Sequence, residues 1–278
     1  MIINGKQISQ KVLAGLKKEI RQRKLKLRLA AVLVSSNSGI RKFVELKGKA
    51  AKEVGLDYKI FEFPETITEE ELRKEVCKIV GDDKNDGVLV ELPLPKRIKA
   101  QNVLNEINAE KDVDVLSQEA QNKFYEVEPP LEVRPQVLPP AVEAVKTVFK
   151  FYKYDVKGKK AAVFGYGLLV GKPVAYWLSQ NGAYVSVIDE YTKDPQKHSI
   201  GADIIVSGVG KPELIGGGMV KEGVVAVDFG YENKEGKMVG DINFDEVSPK
   251  AALITPVPGG IGPVVVASVL KNLVKLNS

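Results

Sequence analysis

One cysteine and one histidine in the whole chain narrow the chemistry at once. With Cys77 alone, an internal disulfide framework and a multi-thiolate metal site are excluded; with His198 alone, the usual triads and His-rich zinc sites are excluded too. No metal is expected, and proton chemistry falls to Lys, Asp, Glu, Tyr or water. Long apolar runs are also missing. None reaches the roughly 18 residues that span a bilayer, and the start MIINGKQISQ lacks the basic residues, apolar stretch and cleavage site of a signal peptide. The expectation is a cytoplasmic protein with no membrane partner. Segregated charge is absent as well: the net charge is +5, but basic residues are interleaved with acids. The densest basic stretch, KKEIRQRKLKLR (17–28), reads as the solvated face and tail of a helix, not a nucleic-acid groove. No nucleic-acid partner is expected; acidic small substrates fit.

What is present is an ordinary globular balance, 44% hydrophobic and 28% charged over 278 residues, enough for two compact domains. Short apolar runs alternate with helical patterns, the signature of a mostly parallel sheet covered by helices. The first series reads strand 29–35, helix 39–55, strand 57–63, helix 68–80 and strand 87–92. Thr68 and Glu71 have capping-box spacing. At 127–140 the text becomes VEPPLEVRPQVLPP, where prolines deny both helix and central strand, which marks a domain junction. A second series follows: helix 140–152, strand 160–165, helix 170–180, strands 183–189, 203–208 and 223–229, and a terminal helix 262–276.

In the second series KAAVFG runs into GYGLLVGKP, so Gly165, Gly167 and Gly171 fall in a strand-to-helix turn where backbone amides can approach a pyrophosphate. The spacing departs from G-x-G-x-x-G, and such turns also occur without a nucleotide. The next strand ends in Asp189, where a ribose-binding acid is expected. In the first series, helix 39–55 carries an apolar stripe that includes Lys47. The pattern alone leaves this lysine between an active-site role and snorkelling to the edge. Glu91 stands near the carboxyl end of GVLVELPLP, either in a ligand site or facing solvent. Asp112 and Asp114 lie in a loop, where aspartates commonly form turns.

Taken in order, ITPVPGGIGP (254–263), ELPLP (91–95), EKDVD (110–114), VGKP (170–173) and GADIIVSGVGKP (201–212), with the less diagnostic GKMVGDINF (236–244), resemble the bifunctional methylenetetrahydrofolate dehydrogenase/cyclohydrolase (FolD) family over nearly the whole chain. The resemblance implies a two-domain α/β fold. An N-terminal catalytic domain with a mostly parallel sheet, 1–138, is completed by the C-terminal helix 264–278; a Rossmann-like NAD(P)-binding domain spans 139–263, and the active site lies in the cleft between them. It implies a homodimer that oxidises 5,10-methylenetetrahydrofolate with NADP and hydrolyses the methenyl product to 10-formyltetrahydrofolate. Lys47 matches the family's catalytic lysine and Asp114 its pterin-binding aspartate, with Glu91 the third catalytic candidate. Phe43, Leu92, Pro93, Pro258, Gly259, Gly260 and Pro263 fall on the substrate side. Gly165, Tyr166, Gly167, Gly171, Lys172, Pro173, Asp189, Glu190, Val209 and Gly210 fall on the cofactor side.

The departures from the family pattern are specific. Its active-site tyrosine is Phe43 here, and the glutamine beside its lysine is Glu91. Its Pro-Cys-Thr-Pro stretch is QVLP (136–139), and the glycine after Asp114 is Val115. In the cofactor loop a serine is replaced by Gly167 and a frequent arginine by Tyr166. A weakened hydrolase is the expectation, with a degenerate homologue that binds pterin or dinucleotide as the alternative. Asp189 and Glu190 lean toward NAD where the family implies NADP.

Overall fold

The computed structural model of the protein describes residues 1–34, 38–126, 137–234 and 236–278. Most of the proline-rich junction, including Gln136, lies outside them. The chain divides into two compact units: one runs from Gln10 and takes in Val266–Ser278, and the other joins Met1–Ser9 to Ala141–Val265.

The first unit is built on a three-stranded parallel sheet in the order β2-β1-β3, formed by β1 (Arg28–Leu33), β2 (Asp57–Glu62) and β3 (Gly87–Val90). Helix α1 (Gly5–Arg23) leads into β1, α2 (Ser38–Val54) connects β1 to β2, and α3 (Glu69–Gly81) connects β2 to β3. Strand β1 is central and almost wholly buried, whereas β2 is an edge strand with most of its residues exposed or half-buried. The start of α3 is set by the capping box: Thr68 Oγ1 accepts from Glu71 N, and Glu71 Oε2 accepts from Thr68 N at 2.9 Å. Two short helices, α4 (Ala100–Leu104) and α5 (Gln118–Tyr125), flank the Asp112–Asp114 loop. The core packs Leu13, Leu16 and Ile20 of α1 with Leu29 and Ala31 of β1 and with Val269, Leu270 and Leu273 near the carboxyl end of the chain. Asn272, fully buried, ties that last helical segment to the unit by donating to the carbonyls of Val113 and Leu138, both at 2.8 Å.

The second unit begins with α6 (Pro140–Phe151) and holds β4 (Lys160–Phe164), α7 (Gly171–Gln180), β5 (Tyr184–Ile188), α8 (Pro195–Ser199), β6 (Ile204–Ser207), β7 (Val224–Asp228), a hairpin of β8 (Glu232–Lys234) and β9 (Lys237–Val239), α9 (Phe244–Val247) and β10 (Ala251–Ile254). Its five-stranded sheet is parallel in the order β10-β7-β6-β4-β5. The N-terminal residues extend its far edge: Ile3 N donates to Ile254 O at 2.8 Å and Ile254 N to Met1 O at 3.1 Å. Met1–Ser9 therefore groups with this sheet, although it precedes the other unit in the chain. The chain closes with α10 (Ile261–Leu276).

Candidate active site

In the first unit, α2 is amphipathic and Lys47 lies on its buried face with Val44, Ala51 and Val54. Its side chain is largely withdrawn from solvent. It donates to both oxygens of Glu91, at 2.8 Å to Oε1 and 2.9 Å to Oε2, and the two residues are only 9% and 7% exposed. Glu91 is placed by the sheet, its N–H donating to Val32 O just beyond the end of β3. Phe43 sits one helical turn before Lys47 and is half-buried; Leu92 is half-buried and Pro93 exposed.

The two aspartates of the next loop have different tasks. Asp112 is 1% exposed, and its carboxylate accepts from the N–H groups of Asp114, Leu116 and Ser117. Burial raises its pKa while those amides oppose the rise. Asp114, presented by that turn, is half-buried, and none of the described residues donates to its carboxylate. Loss of hydration raises its pKa to about 7; Lys47 opposes this, and Glu91 and Asp112 add to it. A carboxyl titrating near neutrality can give or take a proton. Val115 follows at φ 58°, a left-handed conformation that glycine adopts freely and a β-branched residue does not.

In the second unit, β4 is the first strand of the sheet; β5 lies on one side of it and β6 on the other. The chain order reverses there, which is where open α/β sheets hold ligands. The turns after β4 and β6 are correspondingly close. A Cβ on Gly165 would stand 3.3 Å from Val209 Cγ2, and one on Gly208 would stand 2.9 Å from Val170. Gly171 tolerates no side chain at all, since its Cβ would lie 2.1 Å from Gly165 O. Helix α7 starts at Gly171 with no side chain capping it, and Lys172 and Pro173 complete its first turn. Tyr166 and Gly167 are exposed at the turn's tip. Asp189 and Glu190 are exposed after β5, but Asp189 Oδ1 already accepts from Tyr191 N at 3.1 Å and Thr192 Oγ1 at 2.8 Å.

Two acids that the sequence reading passed over organise this end of the sheet. Asp241, fully buried, accepts from Ser207 Oγ, Val209 N and Lys211 N at 2.7–2.8 Å and so fixes the turn that carries Val209 and Gly210. Asp228, at the end of β7, accepts from the N–H groups of Gly230, Asp241 and Ile242. Burial, with the charge of Asp241, raises its pKa to about 6, against the effect of those amides. The signal was there to find: an aspartate closes the apolar run VVAVD, and another lies in GKMVGDINF. In the 256–263 segment, Gly260 N donates to Pro256 O at 2.9 Å, and a Cβ on Gly260 would meet that oxygen at 2.4 Å. Pro258 is exposed, Gly259 has φ 95°, and Pro263 is in the first turn of α10.

The model of the tetrahydrofolate dehydrogenase/cyclohydrolase catalytic domain matches residues 3–114, and that of the NAD(P)-binding domain of the same family matches residues 139–278. The bifunctional protein FolD of Nautilia profundicola is 39% identical over 279 residues, covering 99% of this chain and 96% of that protein. Among solved structures, the FolD methylenetetrahydrofolate dehydrogenase/cyclohydrolase of Campylobacter jejuni superposes with a TM-score of 0.92 at 36% identity, covering 99% of this chain and 98% of that one. The Trypanosoma brucei enzyme, complexed with NADP cofactor and inhibitor, gives 0.91 at 30% identity, with 99% and 96% covered. The likeness covers both units and runs almost from end to end, so the chain belongs to the tetrahydrofolate dehydrogenase/cyclohydrolase family.

Proposed function

We propose that this protein oxidises 5,10-methylenetetrahydrofolate to the methenyl form with a nicotinamide dinucleotide and hydrolyses the methenyl form to 10-formyltetrahydrofolate. The observation that carries the reading is the buried Lys47–Glu91 pair beside Asp114, in a chain matched by both domains of the family. Asp114 binds the polar edge of the pterin. Lys47 moves the proton that hydrolysis requires, and Phe43, Leu92 and Pro93 line the substrate. The segment with Pro258, Gly259, Gly260 and Pro263 lets backbone approach the folate closely.

The second unit fits a dinucleotide: its glycine turn leaves no room for a Cβ at Gly171, and the start of α7 is uncapped. Gly165, Tyr166, Gly167, Gly171, Lys172, Pro173, Val209 and Gly210 would hold the pyrophosphate and nicotinamide side, and Asp189 with Glu190 the ribose. When bound, the cofactor supplies the hydride acceptor. The chain's task in that step is orientation rather than acid–base chemistry. NAD is proposed as the better cofactor, because two carboxylates follow β5.

Location in the cytoplasm and a homodimer complete the reading. No described helix is long and apolar enough to cross a membrane. Edge strand β2, which leaves one side of its backbone unpaired in the sheet and exposes Ile60, supports a second copy as partner; sedimentation at micromolar concentration measures it. The catalytic reading is tested by following reduced dinucleotide from methylenetetrahydrofolate and decay of methenyltetrahydrofolate absorbance. Turnover of neither substrate overturns it.

A further inference from the structure

We infer that Tyr58, on edge strand β2, is a positioning residue of the Lys47–Glu91–Asp114 site: its phenolic O–H serves as the replacement hydrogen-bond donor for these carboxylates when Lys47 turns to the substrate. The inference rests on the reading of that cluster as the site of reaction.

The phenol oxygen of Tyr58 is buried, and no described residue gives it a hydrogen-bond partner. Buried hydroxyls without partners are rare, because desolvation of the group is then uncompensated. The charges that act on this one are named: after burial, Glu91 and then Asp114 drive its pKa further up, which keeps the proton on the oxygen. The ring reaches its place because residue 48, next to Lys47, has no side chain. A Cβ there would stand 2.9 Å from Tyr58 Cδ1. Strand β2 and the end of β3 flank β1 on opposite sides, so a long side chain is needed to bring the phenol under the influence of Glu91.

The need for such a donor follows from the ion pair. Lys47 occupies both oxygens of Glu91. Once its ammonium leaves, the buried carboxylate has lost its one side-chain partner among the described residues, and the loss of a partner to a buried charge is costly. A phenol that is always protonated, already dehydrated and committed to no other acceptor can donate at that moment. Asp114 is the second acceptor, being without a donor among the described residues.

The test is Tyr58→Phe, which keeps the ring against Gly48 and removes only the hydroxyl. Hydrolysis of methenyltetrahydrofolate should fall in kcat by about ten- to a hundred-fold, the range for hydrogen bonds to charged groups, with KM little changed. The groups facing Asp114 are Lys47, Glu91, Asp112 and Tyr58. With the phenol gone, the ionisation near pH 7 that Asp114 contributes should move upward in the pH–rate profile. The melting temperature should hold or rise, because an unsatisfied polar atom has been removed. Gly48→Ala, which displaces the ring, should move kcat and the profile the same way. Unchanged kcat and pH profile in Tyr58→Phe overturn the inference while leaving the enzymatic reading intact; a wild type that turns over neither folate substrate removes the reading and the inference together.

Discussion

Asp228 and Asp241 in the second unit accept hydrogen bonds from a ring of backbone amides and the Ser207 hydroxyl. In the first unit, by contrast, Glu91 leans on a single ammonium, and Asp114 takes no hydrogen bond from any described residue. Glu91, Asp228 and Asp241 are buried and Asp114 is half-buried. The first set shapes loops and is satisfied by the fold itself; the second is held short of partners, and what it lacks a substrate can supply. Asp112 and Asp114 repeat the contrast within one loop, two residues apart. The clamp accepts three amides, and its neighbour is left to titrate near pH 7.

The sharpest way to break the comparison is Lys47→Met. Loss of the proton-moving group should cost about 10²- to 10⁴-fold in methenyl hydrolysis. Leaving Glu91 buried and unpaired should also destabilise the fold by about 3–5 kcal/mol. Adding Glu91→Gln should restore most of the stability in urea denaturation and none of the hydrolysis. If the single variant is as stable as wild type, Glu91 does not depend on the Lys47 ammonium for its burial.

Asp241→Ala removes a clamp. Three donors lose their acceptor in a buried turn, so stability should fall by about 3 kcal/mol, and dinucleotide affinity should fall with it because the Val209–Gly210 turn is released. Calorimetric titration of the folded variant at low temperature checks the second effect.

Asp114→Asn should do the reverse and stabilise the protein. The folded carboxyl titrates near 7 against about 3.9 unfolded, so the folded state binds the extra proton between those values and stability declines as pH rises from about 4 through 7. Asparagine abolishes that decline. The gain should be about 2 kcal/mol at pH 8, discounted for partial exposure, and should vanish toward pH 4, while activity drops. Asp228, with its pKa raised to about 6, leaves a residual slope of the same sign. A variant that is less stable than wild type at pH 8 would place Asp114 among the clamps.

Relief of the ion pair is a smaller lever. Phe43→Tyr with Glu91→Gln frees Lys47 from its bidentate hold and adds a hydroxyl one helical turn away, so methenyl hydrolysis should rise by about ten-fold. No gain in a folded double variant, or fast hydrolysis by the wild type, removes Glu91 as the restraint.

Much of this was legible in the chain. The alternation of apolar runs gives β1, β3, β4, β6 and β7 within one or two residues, and Thr68 with Glu71 fixes the start of α3. What was missed shares a cause. Strand β10 is four residues long, too short for periodicity to separate it from loop. Asp228 and Asp241 matter only because one acid closes β7 and the other follows β9, and pairing between distant segments is what joins them. Tyr58 reaches the site through strand order, which places β2 and β3 around β1. Gly48 carries no signal in the helical pattern, because the ring that needs its missing side chain comes from a separate strand.

The choice of dinucleotide bears on the same contrast, since Asp189 has characters of both sets. Its Oδ1 shapes the turn after β5 by accepting from Tyr191 N and Thr192 Oγ1, which makes it in part a clamp. It stands next to Glu190, and both residues are exposed. A carboxylate here accepts a hydrogen bond from a free ribose hydroxyl, whereas a 2′-phosphate would meet like charge, so NAD should bind more tightly than NADP by about 1–3 kcal/mol. Lys172, in the first turn of α7, and the exposed Lys193 supply the opposing positive charge and keep the margin small. Because Asp189 is engaged in its turn, Glu190 is the freer contributor, and Glu190→Ser should narrow the gap by about 1 kcal/mol without disturbing the turn. Titration of both cofactors into wild type and variant at one ionic strength measures this. Tighter NADP binding by the wild type would mean that the lysines outweigh the acids, and that Asp189 belongs wholly with the clamps.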